Sequence, residues 1–299
     1  MDSIENKVEI WKNKLLDLGK RNRLVYYKET KRSTLKIEKP EFFELWDIIV
    51  KKENDFKFPY YNEFDINSLN EDEENANIKT NQNIREMQKT LRNLREKAKS
   101  MIQEQGINVL YLAFGFLEWK ENWNSEQSFK APLILVPVDL RIESLMSPYI
   151  LSKRDDEVII NPTLKYKLEN DFGVELPEFT DEIELNLEDY LEKIERIISM
   201  NQWKIIKEVS LSLFSFLKIN MYKDLEGNKE YIMNHPVIKA ISGDPSQLEN
   251  VPDDIKNFDF DNKTNPIDTF QVVDADSSQQ EAIMYAKKGI SFVLQGPPG

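Results

Sequence analysis

The sequence predicts an α+β domain, helices with a mixed or antiparallel sheet, followed by the first helix and strand of a second, α/β unit. Three observations predict it. Apolar residues recur at helical spacing near the N-terminus, while two long unbroken apolar runs occupy the middle of the chain. The elements come as helices, strands, helices and strands again, without regular βαβ alternation. A turn-rich, acidic stretch at 243–268 then precedes a short segment with a clean helix-then-strand pattern. The expected organisation is a domain over 1–243, a linker over 244–267 and the start of a second domain over 268–299.

The first helix is expected from Ser3, a capping residue, with Ile4, Val8, Trp11, Leu15 and Leu18 on one face and Gly19 as its left-handed stop. A second helix is expected to open at Pro40 and bury Phe43, Trp46, Ile49 and Val50. Residues 62–82, rich in Asn, Asp and Glu without periodicity, read as a surface loop. Ile84, Met87, Leu91, Leu94, Ala98 and Met101 form the stripe of a long helix that stops at Gly106. The apolar runs 109–119 and 133–142 read as buried strands. Residues 149–152 and 157–160 read as shorter strands across an Arg154-Asp155-Asp156 turn.

Asn161-Pro162 opens a helix that Gly173 closes, and another helix is expected over 187–200. Residues 203–209 and 211–217 read as a strand pair, with short helical pieces at 221–225 and 235–241. In the last segment Asp276 or Ser277 caps a helix to Lys288, Gly289 stops it, and 291–294 reads as a short buried strand.

Composition narrows the chemistry. With 299 residues, 40% of them hydrophobic, the chain can build real cores, and no run of about 18 apolar residues suggests a membrane span. The absence of cysteine excludes disulfides, thiolate zinc sites and iron–sulfur clusters. The opening Met1-Asp2-Ser3-Ile4-Glu5 lacks the layout of a signal peptide, so the cytoplasm is the expected location. The net charge of -13 disfavours a surface that grips nucleic acid all over. Charge is uneven, however. Residues 1–40 hold eleven basic against six acidic residues, and 84–99 hold six against two. The acidic excess lies in 62–75 and beyond about 155. A polyanion site is therefore expected in the first hundred residues.

Within that region, Lys20, Arg21, Arg23, Lys28 and Arg32 are candidate phosphate contacts, with Lys31 beside them. The competing reading is that cations after a helix C-terminus offset its dipole and pair with carboxylates such as Asp17. The basic face of 84–105 reads first as solvated surface and second as a nucleic-acid contact. Tyr111, Trp119 and Trp123 are candidates for base stacking or, with more weight, for the core. Glu118 and Lys120 suggest a metal-dependent nuclease pattern only if Asp139 lies close by. His235, the one histidine, reads as a helix cap rather than a base. No catalytic residue and no metal ligand are expected in this chain.

The C-terminal residues Gly296-Pro297-Pro298-Gly299 supply the leading glycine and three variable positions of a phosphate-binding loop. Gln279 lies 17 residues before Gly296, and a glutamine amide can pair with one edge of adenine. Ser278-Gln279-x-x-Ala282-Ile283, then an apolar run, then Gln295-Gly296-Pro297-Pro298-Gly299 resembles the Q motif and motif I of superfamily I helicases. The nearest branch is the one that includes the nonsense-decay helicase and its bacterial relatives.

Further motifs upstream are Leu15-Leu16-Asp17-Leu18-x-x-Arg21-Asn22-Arg23-Leu24, Gly115-Phe116-Leu117-Glu118-Trp119 and Ala131-Pro132-Leu133. Asn161-Pro162-Thr163-Leu164 is another. They resemble the domain-of-unknown-function family four thousand and eleven, found in bacteria in front of such helicase cores. The resemblance implies a RecA-like motor domain from 268 onward, binding ATP and Mg2+. Gln279 would contact adenine, with Gln280 as the alternative, while Gly296, Pro297, Pro298 and Gly299 would begin the phosphate cradle. It further implies nucleic acid as partner, DNA ahead of RNA, and a role in defence against foreign DNA. The lysine and magnesium-holding groups of such a motor have no counterpart here, so the chain itself is expected to be inactive as an ATPase. The alternative is a nucleic-acid-binding or protein-docking module without catalysis.

Overall fold

The two mid-chain apolar runs become long neighbouring strands of one antiparallel sheet. The computed structural model describes residues 4–15, 18–60, 78–122, 125–144, 147–178, 180, 186–244, 265, 267 and 273–296. Ser3, Asp17, Trp123, most of the acidic loop at 62–82, most of 243–268, and Pro297, Pro298 and Gly299 lie outside these residues.

In chain order the elements are α1 (Ile4–Leu15), β1 (Thr34–Lys39), α2 (Phe42–Trp46) with a π turn over Asp47–Lys51, β2 (Phe56–Lys57), β3 (Lys79–Thr80), α3 (Ile84–Gln105), β4 (Leu110–Trp119) and β5 (Phe129–Arg141). There follow β6 (Ile150–Lys153), β7 (Ile159–Ile160), α4 (Pro162–Phe172), α5 (Leu187–Ile198), β8 (Lys204–Leu213), α6 (Leu217–Gly227), α7 (Lys229–Asn234), α8 (Pro236–Ile241) and α9 (Ser277–Lys287). They fall into two compact units, Leu16–Met221 and Met1–Leu15 with Tyr222–Gly299.

The Leu16–Met221 unit is the mixed α/β body. Its sheet runs β2-β6-β5-β4-β8-β1-β3, with β7 also on β5, and every ladder is antiparallel. Leu112, Phe114, Leu133, Leu135 and Val136 are fully buried. Strands covered on both faces have no need to alternate, which is why β4 and β5 read as continuous apolar runs. Trp119 sits in the core, its indole N–H donating to the Val25 carbonyl at 3.1 Å. Tyr111 is likewise buried, edge-on to Phe216. Both aromatics are core residues. The α3 stripe is buried at Met87, Leu91, Leu94 and Ala98, where the helix lies against β1, β5 and β8.

Helix ends follow side-chain chemistry. Asn83 and Asn161 cap α3 and α4 by accepting from the Glu86 and Leu164 N–H groups, and Gly106 and Gly173 close them at positive φ. Gly115, inside β4, has φ +72° where the register with β8 shifts between Phe114 and Phe116. A side chain there would be strained by the backbone alone.

Three expectations are corrected and a fourth is sharpened. The strand pair over 203–217 is the single strand β8, because nothing in Val209-Ser210-Leu211 turns the chain and both neighbours, β4 and β1, bond along it. Residues 149–160 hold the two expected short strands, β6 and β7, with a bend at 155–156, but these pair with β5 and not with each other. Between the two pairings the Pro137 carbonyl accepts from the Arg154 N–H. The second helix begins at Phe42 rather than Pro40, since β1 keeps the backbone extended through Lys39. Residues 291–294 form no strand, and Val293 and Leu294 are 94% and 72% exposed. A strand exists through its neighbours, and no described residue pairs with this one.

Candidate nucleic-acid interface

Between Leu18 and β1 the backbone makes short turns, with the Val25 and Tyr26 N–H groups donating to the Asn22 carbonyl, and side chains tie these turns to distant elements. Arg23 is the main tether. Its guanidinium donates to the Lys28 and Leu213 carbonyls and to the Thr34 and Ser212 hydroxyls, over distances of 2.9 to 3.4 Å. It also lies over the rings of Tyr27 and Phe214, at 5.2 and 5.7 Å from their centres. Burial lowers its pKa, with Tyr27 opposing the shift. The structure therefore commits Arg23 to the protein.

The next turn is fixed from the helix side. Gln82 donates to the Lys31 and Thr34 carbonyls at 3.2 Å, Thr90 donates to Lys31, and Asn93 donates to Arg32. With these carbonyls engaged inward, Lys28, Lys31 and Arg32 remain exposed. Together with Asn81, Gln82, Lys89, Thr90 and Asn93, Lys31 and Arg32 line a cleft of ≈ 710 Å³. The cleft also holds two carboxylates: Glu86 accepts from the Asn83 amide at 2.8 Å, and Glu29 stands 3.8 Å from the Lys130 ammonium, which pairs more closely with Glu208. Among the described residues, Lys31, Arg32 and Lys89 make no ion pair. Exposed cations that make no ion pair among the described residues are the composition of an anion-binding surface.

The remaining candidates scatter. Lys20 pairs loosely with Glu121 at 3.9 Å and lies over the Phe129 ring, at the rim of a ≈ 360 Å³ groove that also holds Lys28 and Lys130. Arg21 is exposed. Glu118 is bound to Lys204 and Ser128, and those hydrogen bonds hold its pKa below the usual carboxylate range. Asp139 pairs with Arg154. Glu118 sits opposite Lys130, nine residues from Asp139 along β5, which is about 30 Å of strand. The nuclease pattern is not assembled, and no cluster of metal-ligating side chains exists among the described residues. His235 precedes α8 without making a side-chain cap. Sequence patterns give no sign of the cleft's polar half, Asn81, Gln82, Thr90 and Asn93, because long-range loop-to-helix bonds leave no local signature.

In the other unit, Gln279 closes a capping box on α9. Its side-chain oxygen accepts from the Asp276 N–H at 3.0 Å while its own N–H donates to the Asp276 carboxylate at 2.9 Å. Gln280 turns back to the Ala275 carbonyl. Nothing lies within 4 Å of the position a Cβ would take on Gly296. The described residues here do not by themselves enclose a nucleotide.

The model of the family described as "Protein of unknown function (DUF4011)" matches residues 14–168, just over half of the chain. The chain belongs to the DUF4011 family. No curated protein and no solved structure matches it. The DUF4011 match takes in the Arg23 tether, the loop over 28–33, β1, α3 and the strands β4 to β7, and so contains every residue of the cleft. Gln279 and Gly296 lie beyond it.

Proposed function

We propose that the chain is the front part of an ATP-dependent nucleic-acid helicase or translocase of superfamily I, acting on DNA ahead of RNA, and that its DUF4011 unit supplies a nucleic-acid contact. The observation that carries the contact is the cleft in which Lys31, Arg32 and Lys89 stand without carboxylate partners among the described residues. Phosphate binding by such cations releases counterions and raises affinity at low salt, which a chain of net charge -13 achieves only through a local patch. The motor half of the reading rests on the resemblance at Gln279 and Gly296. The capping box supports it to the extent that the Gln279 amide N–H groups make no hydrogen bond among the described residues.

The test is fluorescence anisotropy of a labelled oligonucleotide with the whole chain at low ionic strength. Binding is expected, weakened about tenfold or more by Lys31→Glu with Arg32→Glu. No binding at low salt overturns the nucleic-acid contact and favours a protein-docking module. The chain holds no Gly-Lys-Ser or Gly-Lys-Thr, so no ATP turnover is expected from it, and measurable hydrolysis would overturn that expectation.

A further inference from the structure

The cationic surface does not end at the cleft. At 100° per residue, Lys89, Arg92 and Lys99 fall within one exposed arc of α3, which also carries Glu96, while Arg95 is half-buried and flanks the stripe of Met87, Leu91, Leu94 and Ala98. None of these four cations makes an ion pair among the described residues. From Lys89 to Lys99 the helix rises about 15 Å, the axial length of roughly four nucleotides of one duplex strand. Lys31 and Arg32 extend the same surface beside the Asn93 turn of the helix.

This surface carries no aromatic residue. Neither α3 nor the loop over 28–34 contains Phe, Tyr or Trp. The nearest aromatics of the neighbouring groove are already covered. Tyr26 and Tyr27 are buried, Tyr26 packs edge-on against Phe129, and the Phe129 ring carries the Lys20 ammonium at 5.4 Å. Single strands are held by stacking bases on aromatic faces, and a surface without such faces offers them charge alone. On charge alone a duplex wins, because it presents more phosphates per unit length and does not have to be ordered on binding.

We infer that the exposed face of α3, with the cleft beside it, grips the phosphate backbone of a double helix, without reading sequence and in preference to a single strand. The inference rests on the proposed nucleic-acid contact and specifies its substrate. The intact chain is titrated into labelled DNA duplexes of about 20 base pairs, of two unrelated sequences, and into their separate strands at one ionic strength. The two duplexes should bind within about twofold of each other and about tenfold more tightly than the single strands. The Arg92→Glu, Lys99→Glu double variant should weaken duplex binding about tenfold or more with an unchanged melting temperature, since both side chains lie off the core. Equal or tighter binding of single strands overturns this inference but leaves the nucleic-acid contact standing. Unchanged duplex binding by the double variant overturns the assignment to α3. Absence of binding to every probe overturns the nucleic-acid contact itself.

Discussion

The Arg23 guanidinium donates to the hydroxyl of Ser212 at 2.9 Å, joining the loop before β1 to the strand β8 across 189 residues of sequence. The same group holds the Lys28 carbonyl and the Thr34 hydroxyl, so one side chain sets the course of the basic loop. Hydrogen bonds from a charged donor contribute about 1.5–3 kcal/mol each to stability in favourable settings, and they are not additive. Arg23→Ala should therefore cost about 2–3 kcal/mol in urea unfolding. Arg23→Lys should recover little of this, because an ammonium cannot replace a planar fork with several fixed donors.

Asn161 is fully buried and uses both ends of its amide. Its nitrogen donates to the Leu24 and Pro132 carbonyls, and its oxygen caps α4 through the Leu164 N–H. Asn161→Ala leaves two buried carbonyls and a helix N–H without this partner, which should cost about 3 kcal/mol or more. Asn161→Asp keeps the cap but turns a carboxylate toward those carbonyls, so thermal unfolding should find it no better than the alanine variant.

Gly115 tests the bulge. Its φ of +72° disfavours any side chain, while the atoms nearest to the position a Cβ would take, Leu133 Cδ1 among them, stand 3.8 to 3.9 Å away. Gly115→Ala should thus lose about 1–2 kcal/mol through backbone strain without a packing clash. Denaturation with an unchanged m-value checks this, since the strain does not alter the surface exposed on unfolding.

Acid should loosen the sheet at Glu208. Burial pushes its carboxyl up, but hydrogen bonds from Lys130 and Lys36 outweigh burial and hold the pKa below its ordinary 4.5. A carboxyl depressed in the folded state contributes stability that is complete above its unfolded pKa and is lost as pH falls through the folded one. The melting temperature should therefore decline below about pH 4.5. Glu208→Gln should be less stable at neutral pH and show a shallower acid decline.

Local rules make much of this fold readable from the sequence. The α3 stripe, the Asn161-Pro162 start, the Gly106, Gly173 and Gly289 stops and the β4 and β5 runs all express short-range periodicity or capping. Such rules fail where distant partners decide. β8 is one strand because β4 and β1 flank it, and β6 and β7 pair with successive stretches of the continuous strand β5 rather than with each other. The candidate site is legible in the sequence as charge, in Lys31 and Arg32, but not as geometry. Arg23 looks like its neighbours in sequence, and only its contacts with Thr34 and Ser212 set it apart as a tether.

The central claim is that cations of α3 neutralise phosphates. It is tested most directly by the slope of log binding constant against log salt concentration for a DNA duplex. Each lost phosphate contact lowers the magnitude of that slope by about 0.9. The Lys89→Ala, Arg92→Ala double variant should therefore show a slope shallower than the parent chain by about 1.8. Equal slopes for the two proteins would contradict the account, because duplex binding would then owe nothing to this face.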